Sequence, residues 1–284
     1  MMLAFHTHKW MCTYIKLANN QGNIANMKLK YLSLLVAACA ATNVVAEEKK
    51  TWEANAELGA IITSGNTETT TFKGALTVKH NLEKWNNEYK LSGLYKEDEV
   101  EQDDGTKITE RTNEKYFGSA QGNYKLNEKN AHLFIYGSYL SDYFGAYREE
   151  AVISGGYGLR LIDNETMVLN AEFGPGYKYF RYPDDSTEVD DNGQSLADEW
   201  EGEVIALAKA DYTWQISEGA KFTQLLAVEY GDTNTKTRSE TALLTKINGS
   251  LQMKVGFNVT HNSDVADDKD NTDTETALTL VYNF

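Results

Sequence analysis

The chain has 284 residues, 27 Lys and Arg against 42 Asp and Glu, and a formal net charge of −15. So acidic a chain excludes a nucleic-acid-binding protein, because phosphates attract the opposite sign. A mean hydropathy of −0.51 with no apolar run of ~18 residues excludes a helical membrane protein, but not a transmembrane barrel, whose strands show lipid only every second residue.

The N-terminal segment comes first in chain order. Met27, Lys28 and Lys30 begin a positive stretch, residues 31–41 are apolar, and Val44-Val45-Ala46 precedes Glu47 and Glu48. This order predicts a secretory signal peptide over 27–46, cleaved after Ala46. Residues 1–26 are then an upstream extension and 47–284 a single domain. Val36-Ala37-Ala38-Cys39 also resembles a lipobox, the alternative being a lipidated Cys39 at the mature N-terminus. Cys12 and Cys39 both precede Ala46, so cleavage there leaves no thiol for a disulfide or a metal. The 238 residues that remain carry 23 Lys and Arg against 42 Asp and Glu, a formal net charge of −19.

From Trp52 onward, apolar alternation and turn signals predict twelve strands: 52–63, 69–80, 86–96, 111–126, 131–141, 148–162, 167–182, 201–214, 221–231, 236–247, 250–261 and 274–284. Connections after even-numbered strands are short, at 81–85, 127–130, 163–166, 215–220 and Asn248-Gly249, the last an expected type I′ pair. Those after odd-numbered strands include three long acidic segments, 97–110, 183–200 and 262–273, beside shorter ones at 64–68, 142–147 and 232–235. A soluble sandwich has no reason to sort loop length by parity. An outer-membrane barrel does, with short periplasmic turns and long external loops. The expected fold is therefore an all-β, antiparallel, up-and-down transmembrane barrel of about twelve strands.

The two faces of each strand differ as such a wall requires. Phe72, Gly74, Leu76 and Val78 alternate with Thr71, Lys73, Thr77 and Lys79, and Leu251, Met253, Val255, Phe257 and Val259 with Gln252, Lys254 and Asn258. The polar parity also collects Glu53, Glu57, Lys90, Lys115, Arg160, Glu172, Lys178, Lys209, Asp211, Glu229, Glu240 and Lys246, a nearly charge-balanced lumen set expected to form ion pairs. Trp52, Trp85, Tyr124, Trp214 and Phe284 fall near one rim and Tyr95, Tyr179, Tyr182, Trp200 and Tyr230 near the other, as two aromatic girdles would. Leu278, Leu280, Tyr282 and the terminal Phe284 share one parity; Leu280, Tyr282 and Phe284 resemble the end that barrel-assembly machinery reads on its clients.

With the strands placed, 57–71, Glu-Leu-Gly-Ala-Ile-Ile-Thr-Ser-Gly-Asn-Thr-Glu-Thr-Thr-Thr, resembles a hairpin of the YdiY-like family of salt-induced outer-membrane proteins. The resemblance extends over the mature chain. It includes Gly174-Pro175-Gly176-Tyr177-Lys178-Tyr179, Tyr212-Thr213-Trp214-Gln215-Ile216-Ser217 and the Tyr-Asn-Phe end, with Ser64-Gly65-Asn66-Thr67 its most specific part. It implies an outer-membrane barrel, a link to salt or osmotic stress, and no catalytic residue.

Two constellations are candidates for chemistry. Glu188, Asp190, Asn192, Gly193 and Glu199 stand at positions 1, 3, 5, 6 and 12 of a calcium-loop spacing, although Ser195 replaces the usual aliphatic residue and strands rather than helices flank it. The alternative is a solvated acidic loop that meets lipopolysaccharide phosphates through divalent cations. His261 and Ser263 resemble the His-x-Ser pair of outer-membrane phospholipases, but no third group is fixed by the motif. No nucleotide, flavin or haem motif occurs, and no cofactor is expected. The leading expectation is a non-enzymatic pore or structural outer-membrane component. A surface-binding protein comes second and a lipid esterase third.

Overall fold

The computed structural model describes residues 51–63, 69–101, 106–126, 130–190, 192–265 and 270–284. The segment 27–46 predicted as a signal peptide, Cys39 and Ser64-Gly65-Asn66-Thr67 lie outside them. Twelve strands follow one another: β1 Trp52–Thr63, β2 Thr69–Asn81, β3 Trp85–Glu101, β4 Lys107–Lys125, β5 Ala131–Asp142, β6 Glu149–Asp163, β7 Met167–Arg181, β8 Trp200–Ser217, β9 Ala220–Tyr230, β10 Thr235–Lys246, β11 Leu251–Asn262 and β12 Thr272–Asn283. Each pairs antiparallel with its chain neighbour, and β12 returns to β1, closing a barrel that contains no helix among the described residues. Closure leaves no edge strand, the condition for a sheet to stand in hydrocarbon. The seam is short, with four paired positions from Asn55↔Asn283 to Leu58↔Leu280.

The wall is inverted relative to a soluble protein. Phe72, Leu91, Ile135, Ile153, Phe173, Val204, Val255, Leu278 and Leu280 project outward and are exposed. Their alternating neighbours supply the charged interior. This is the transmembrane arrangement, because an apolar exterior has a favourable partner only in lipid. Aromatic residues ring both rims: Trp52 stacks on His80 with centroids 3.7 Å apart, Trp85 meets Tyr124 at 5.2 Å, and at the long-loop end Tyr179 stacks on Trp200 at 5.5 Å.

Three local readings of the sequence are corrected. β3 and β4 continue to Glu101 and from Lys107 as a paired ribbon, where the sequence predicts an irregular loop over 97–110. Charged residues on both faces hide the alternation there, because a ribbon standing in water has no apolar face to show. Asn248-Gly249 does not form the type I′ pair, since neither residue has a positive φ. Asn248 Oδ1 instead accepts the N–H groups of Ser250 (3.2 Å) and Leu251 (3.0 Å), a side-chain turn that satisfies the backbone without left-handed residues. Tyr182 leaves the girdle and packs on Phe180 and Tyr147, with centroids 5.6 Å from each.

Candidate functional site

The barrel interior is the candidate site, and its two sides differ. On the side of β5 to β8, inward positions of β6 and β7 are Gly156, Gly158, Gly174 and Gly176. A Cβ on Gly156 would lie 2.6 Å from Gly174 Cα, and Pro175 beside it offers no N–H to the ladder. Bare strands leave room above them. Phe134 and Tyr136 from β5, Val152 from β6, and Ile205 and Leu207 from β8 fill that room as a buried apolar cluster.

Charges on this side are nearly dry. Glu150 lies between Lys178, at 3.0 Å, and Lys236, which reaches from β10 to pair with it on β6. Lys178 is 1% exposed and Glu150 6%. Nearer the short-turn end, Glu172 pairs with Lys209 at 2.7 Å and with His132 at 3.0 Å, and Gln121 donates to it at 2.7 Å. Lys209 of β8 also donates to Gln121 of β4. A low-dielectric setting makes each of these pairs costly to leave incomplete.

On the side of β1 to β3, β11 and β12 the charged side chains are wetter, although the inward Thr279 and Val281 of β12 are buried. Lys254 donates to both Glu57 oxygens at 2.9 Å, Lys73 pairs with Glu275, and Lys90 pairs with Glu88 at 2.8 Å. The side chain of Lys90 is 39% exposed and that of Lys79 49%. Lys115, paired with Asp142 at 2.7 Å, is intermediate in exposure, and Arg160 sits at the short-turn rim with Asn170 and Asp163. The sequence-predicted lumen residues thus separate into two electrostatic environments. The contacts of Lys236 with Glu150 and of Lys209 with Gln121, each between strands four apart in the ring, are not legible in the sequence, because no local pattern encodes a contact across a barrel.

At the long-loop end the interior closes into a vestibule. Tyr147, from the β5–β6 connection, is buried against Phe180, with centroids 4.5 Å apart, and its ring lies 4.8 Å from Lys178 Nζ. Burial, with nearby Tyr182 and Glu150, pushes the Tyr147 phenol up. Burial and the carboxylates of Glu201 and Glu188 push Tyr182 up to about 12. Glu203 accepts from Thr233 N at 2.8 Å, and Asn234 donates to Asn262 at 2.9 Å, so the β9–β10 connection is tied to β8 and to the end of β11.

The other candidates take on structural duties. Asp190 Oδ1 accepts the N–H groups of Asn192 (2.9 Å) and Gln194 (2.7 Å), the Gln194 bond being the main reason its carboxyl is held below the usual range. Gly193 has φ +77°, and Val189 bridges Ser195, so the loop is a small hairpin around that carboxylate. Among the described residues, no group of three or more His, Cys, Asp or Glu is placed to hold a metal ion. His261 Nδ1 lies 2.9 Å from Thr272 Oγ1, whereas Ser263 Oγ donates to Asn234 at 3.3 Å and accepts from Thr235 N. Imidazole and hydroxyl thus have separate partners rather than each other.

Residues 56–284 match the family model described as "Protein of unknown function, DUF481". The chain belongs to the DUF481 family. A relative, "Uncharacterized protein YdiY" of Escherichia coli (strain K12), is 30% identical over 240 residues, 84% of this chain and 86% of its own length. Among solved structures, the chain is similar to the translocator domain of autotransporter NalP from Neisseria meningitidis (TM-score 0.45, 13% identity, 94% of this chain and 98% of that one). It is also similar to the COG4313 outer membrane channel from Pseudomonas putida F1 (TM-score 0.45, 11% identity, 84% and 100%).

Proposed function

We propose that this DUF481 protein is a narrow, non-enzymatic pore of the Gram-negative outer membrane that passes water and small ions along the wet side of its lumen. The observation that carries this reading is the solvent exposure of Lys79, Lys90 and Glu88 on the interior of a wall whose exterior is apolar. Charged, hydrated side chains on one wall replace part of an ion's hydration shell, while the dry side sets the bore narrow. In this reading the end with short turns and both strand termini faces the periplasm, and the acidic long loops face outward toward lipopolysaccharide and its divalent cations. Leu280, Tyr282 and Phe284 present the chain end to the barrel-assembly machinery. Ion passage also fits the salt-related role that the family resemblance implies.

Planar-bilayer recording of the protein extracted from outer membranes tests the proposal. Discrete, stable conductance steps are expected. Silence from a barrel that migrates as folded on an unheated detergent gel would overturn it.

A further inference from the structure

β10 and β4 stand six strands apart in either direction around the ring, directly opposite one another. Yet Arg238 of β10 places its guanidinium carbon 5.6 Å from the ring centroid of Phe117 on β4. Its side chain also engages Tyr136 of β5 and pairs with Glu240 Oε1 at 3.1 Å. A guanidinium is suited to this place, because it rests flat on an aromatic face and keeps its charge at any working pH.

The contact falls between the two sides of the interior. Tyr136 belongs to the apolar cluster on one flank, whereas Glu240, 44% exposed, lies within Coulomb range of Lys90 on the wet flank. Lys236 to Glu150 and Lys209 to Gln121 cross the lumen from the same arc of strands toward the long-loop and short-turn ends, respectively. Arg238 completes a partition between those two crossings. We propose that Arg238, held on Phe117 and balanced by Glu240, is the residue that sets both the bore and the ion selectivity of the lumen.

The proposal rests on the pore reading and assigns opposite roles to two neighbouring charges. With both present, the partition offers a nearly neutral ion pair and weak selectivity. Removing the arginine widens the bore and unmasks Glu240, favouring cations. Neutralising Glu240 leaves the guanidinium in place and favours anions.

Single-channel conductance and reversal potential across a salt gradient are measured for the full protein and for Arg238→Ala, Glu240→Gln and Phe117→Ala, each checked for folded migration on unheated gels. Arg238→Ala is expected to raise conductance at least about two-fold and move the reversal potential toward the cation limit, because field and diameter act together in a constriction. Glu240→Gln should move it toward the anion limit with little change in conductance. Phe117→Ala, which keeps both charges, should raise conductance without a matching selectivity shift, and it reads the partition if Arg238→Ala does not fold. A silent parent that migrates as folded overturns the pore reading and the role of Arg238 with it, even where Arg238→Ala conducts. A conducting parent whose conductance and selectivity are unchanged in Arg238→Ala and Phe117→Ala overturns the role of Arg238 and leaves the pore standing. Silence from every folded variant overturns both.

Discussion

Glu150 with Lys178 and Glu275 with Lys73 are the same chemistry in the same barrel, and they teach that a lumen charge is defined by its water rather than by its type. Glu150 and Lys178 have side chains 7% and 1% exposed, whereas Glu275 and Lys73 keep 30% and 21%. In the first setting, removing one partner leaves two lysines without compensation. In the second, water takes over much of what the partner supplied.

The sharpest way to break the comparison is to neutralise both acids. Glu150→Gln should cost about 3–5 kcal/mol, the penalty for breaking a buried pair. Glu275→Gln should cost no more than about 1 kcal/mol, the range of solvated pairs. The midpoint of urea unfolding, followed by the gel shift between folded and unfolded barrel, measures both. Equal losses would mean that the two sides do not differ in hydration. Next in size is Leu207→Ala, which empties part of the apolar cluster where the glycine strands cannot move in to fill it, at about 2–5 kcal/mol. Leu207 is 1% exposed. The outward Leu280→Ala exchanges a lipid contact for a lipid contact and should cost clearly less by the same assay.

Much of this barrel is legible in the sequence, and the reason is period two. Leu251, Met253 and Val255 against Gln252 and Lys254 state which face meets lipid, and turn signals state where the wall reverses. What the pattern omits is distance across the interior. Lys178 and Lys90 have the same parity and the same neighbours by type, yet one is buried and the other wet. The difference comes from Gly156, Gly158, Gly174 and Gly176, which let β5 and β8 side chains close over one side. A glycine in a strand announces missing volume without saying what fills it. The acidic spacing over 188–199 is ambiguous for a related reason: an Asp that caps its own turn, as Asp190 does, and an Asp that binds an ion look alike in sequence.

The smallest expected effect sharpens the comparison at the vestibule, where the dry side meets external water. Tyr147 and Tyr182 are raised above the ordinary tyrosine range chiefly by burial, Tyr182 to about 12. An acid whose pKa is raised on folding favours its neutral form in the native state. The stability from that preference is complete below an ordinary pKa of about 10 and is lost as pH climbs toward 12. An alkaline titration followed by phenolate absorbance should therefore show a late phase near pH 12. Tyr182→Phe should remove part of that phase while leaving unfolding at neutral pH almost unchanged, since the ring contacts to Phe180 and Tyr147 survive the loss of the hydroxyl. Complete ionisation by pH 11 with folded migration retained would mean that water already reaches these phenols. The dry side of the lumen would then stop short of the vestibule instead of continuing through Lys178 and Phe180 to the outer rim.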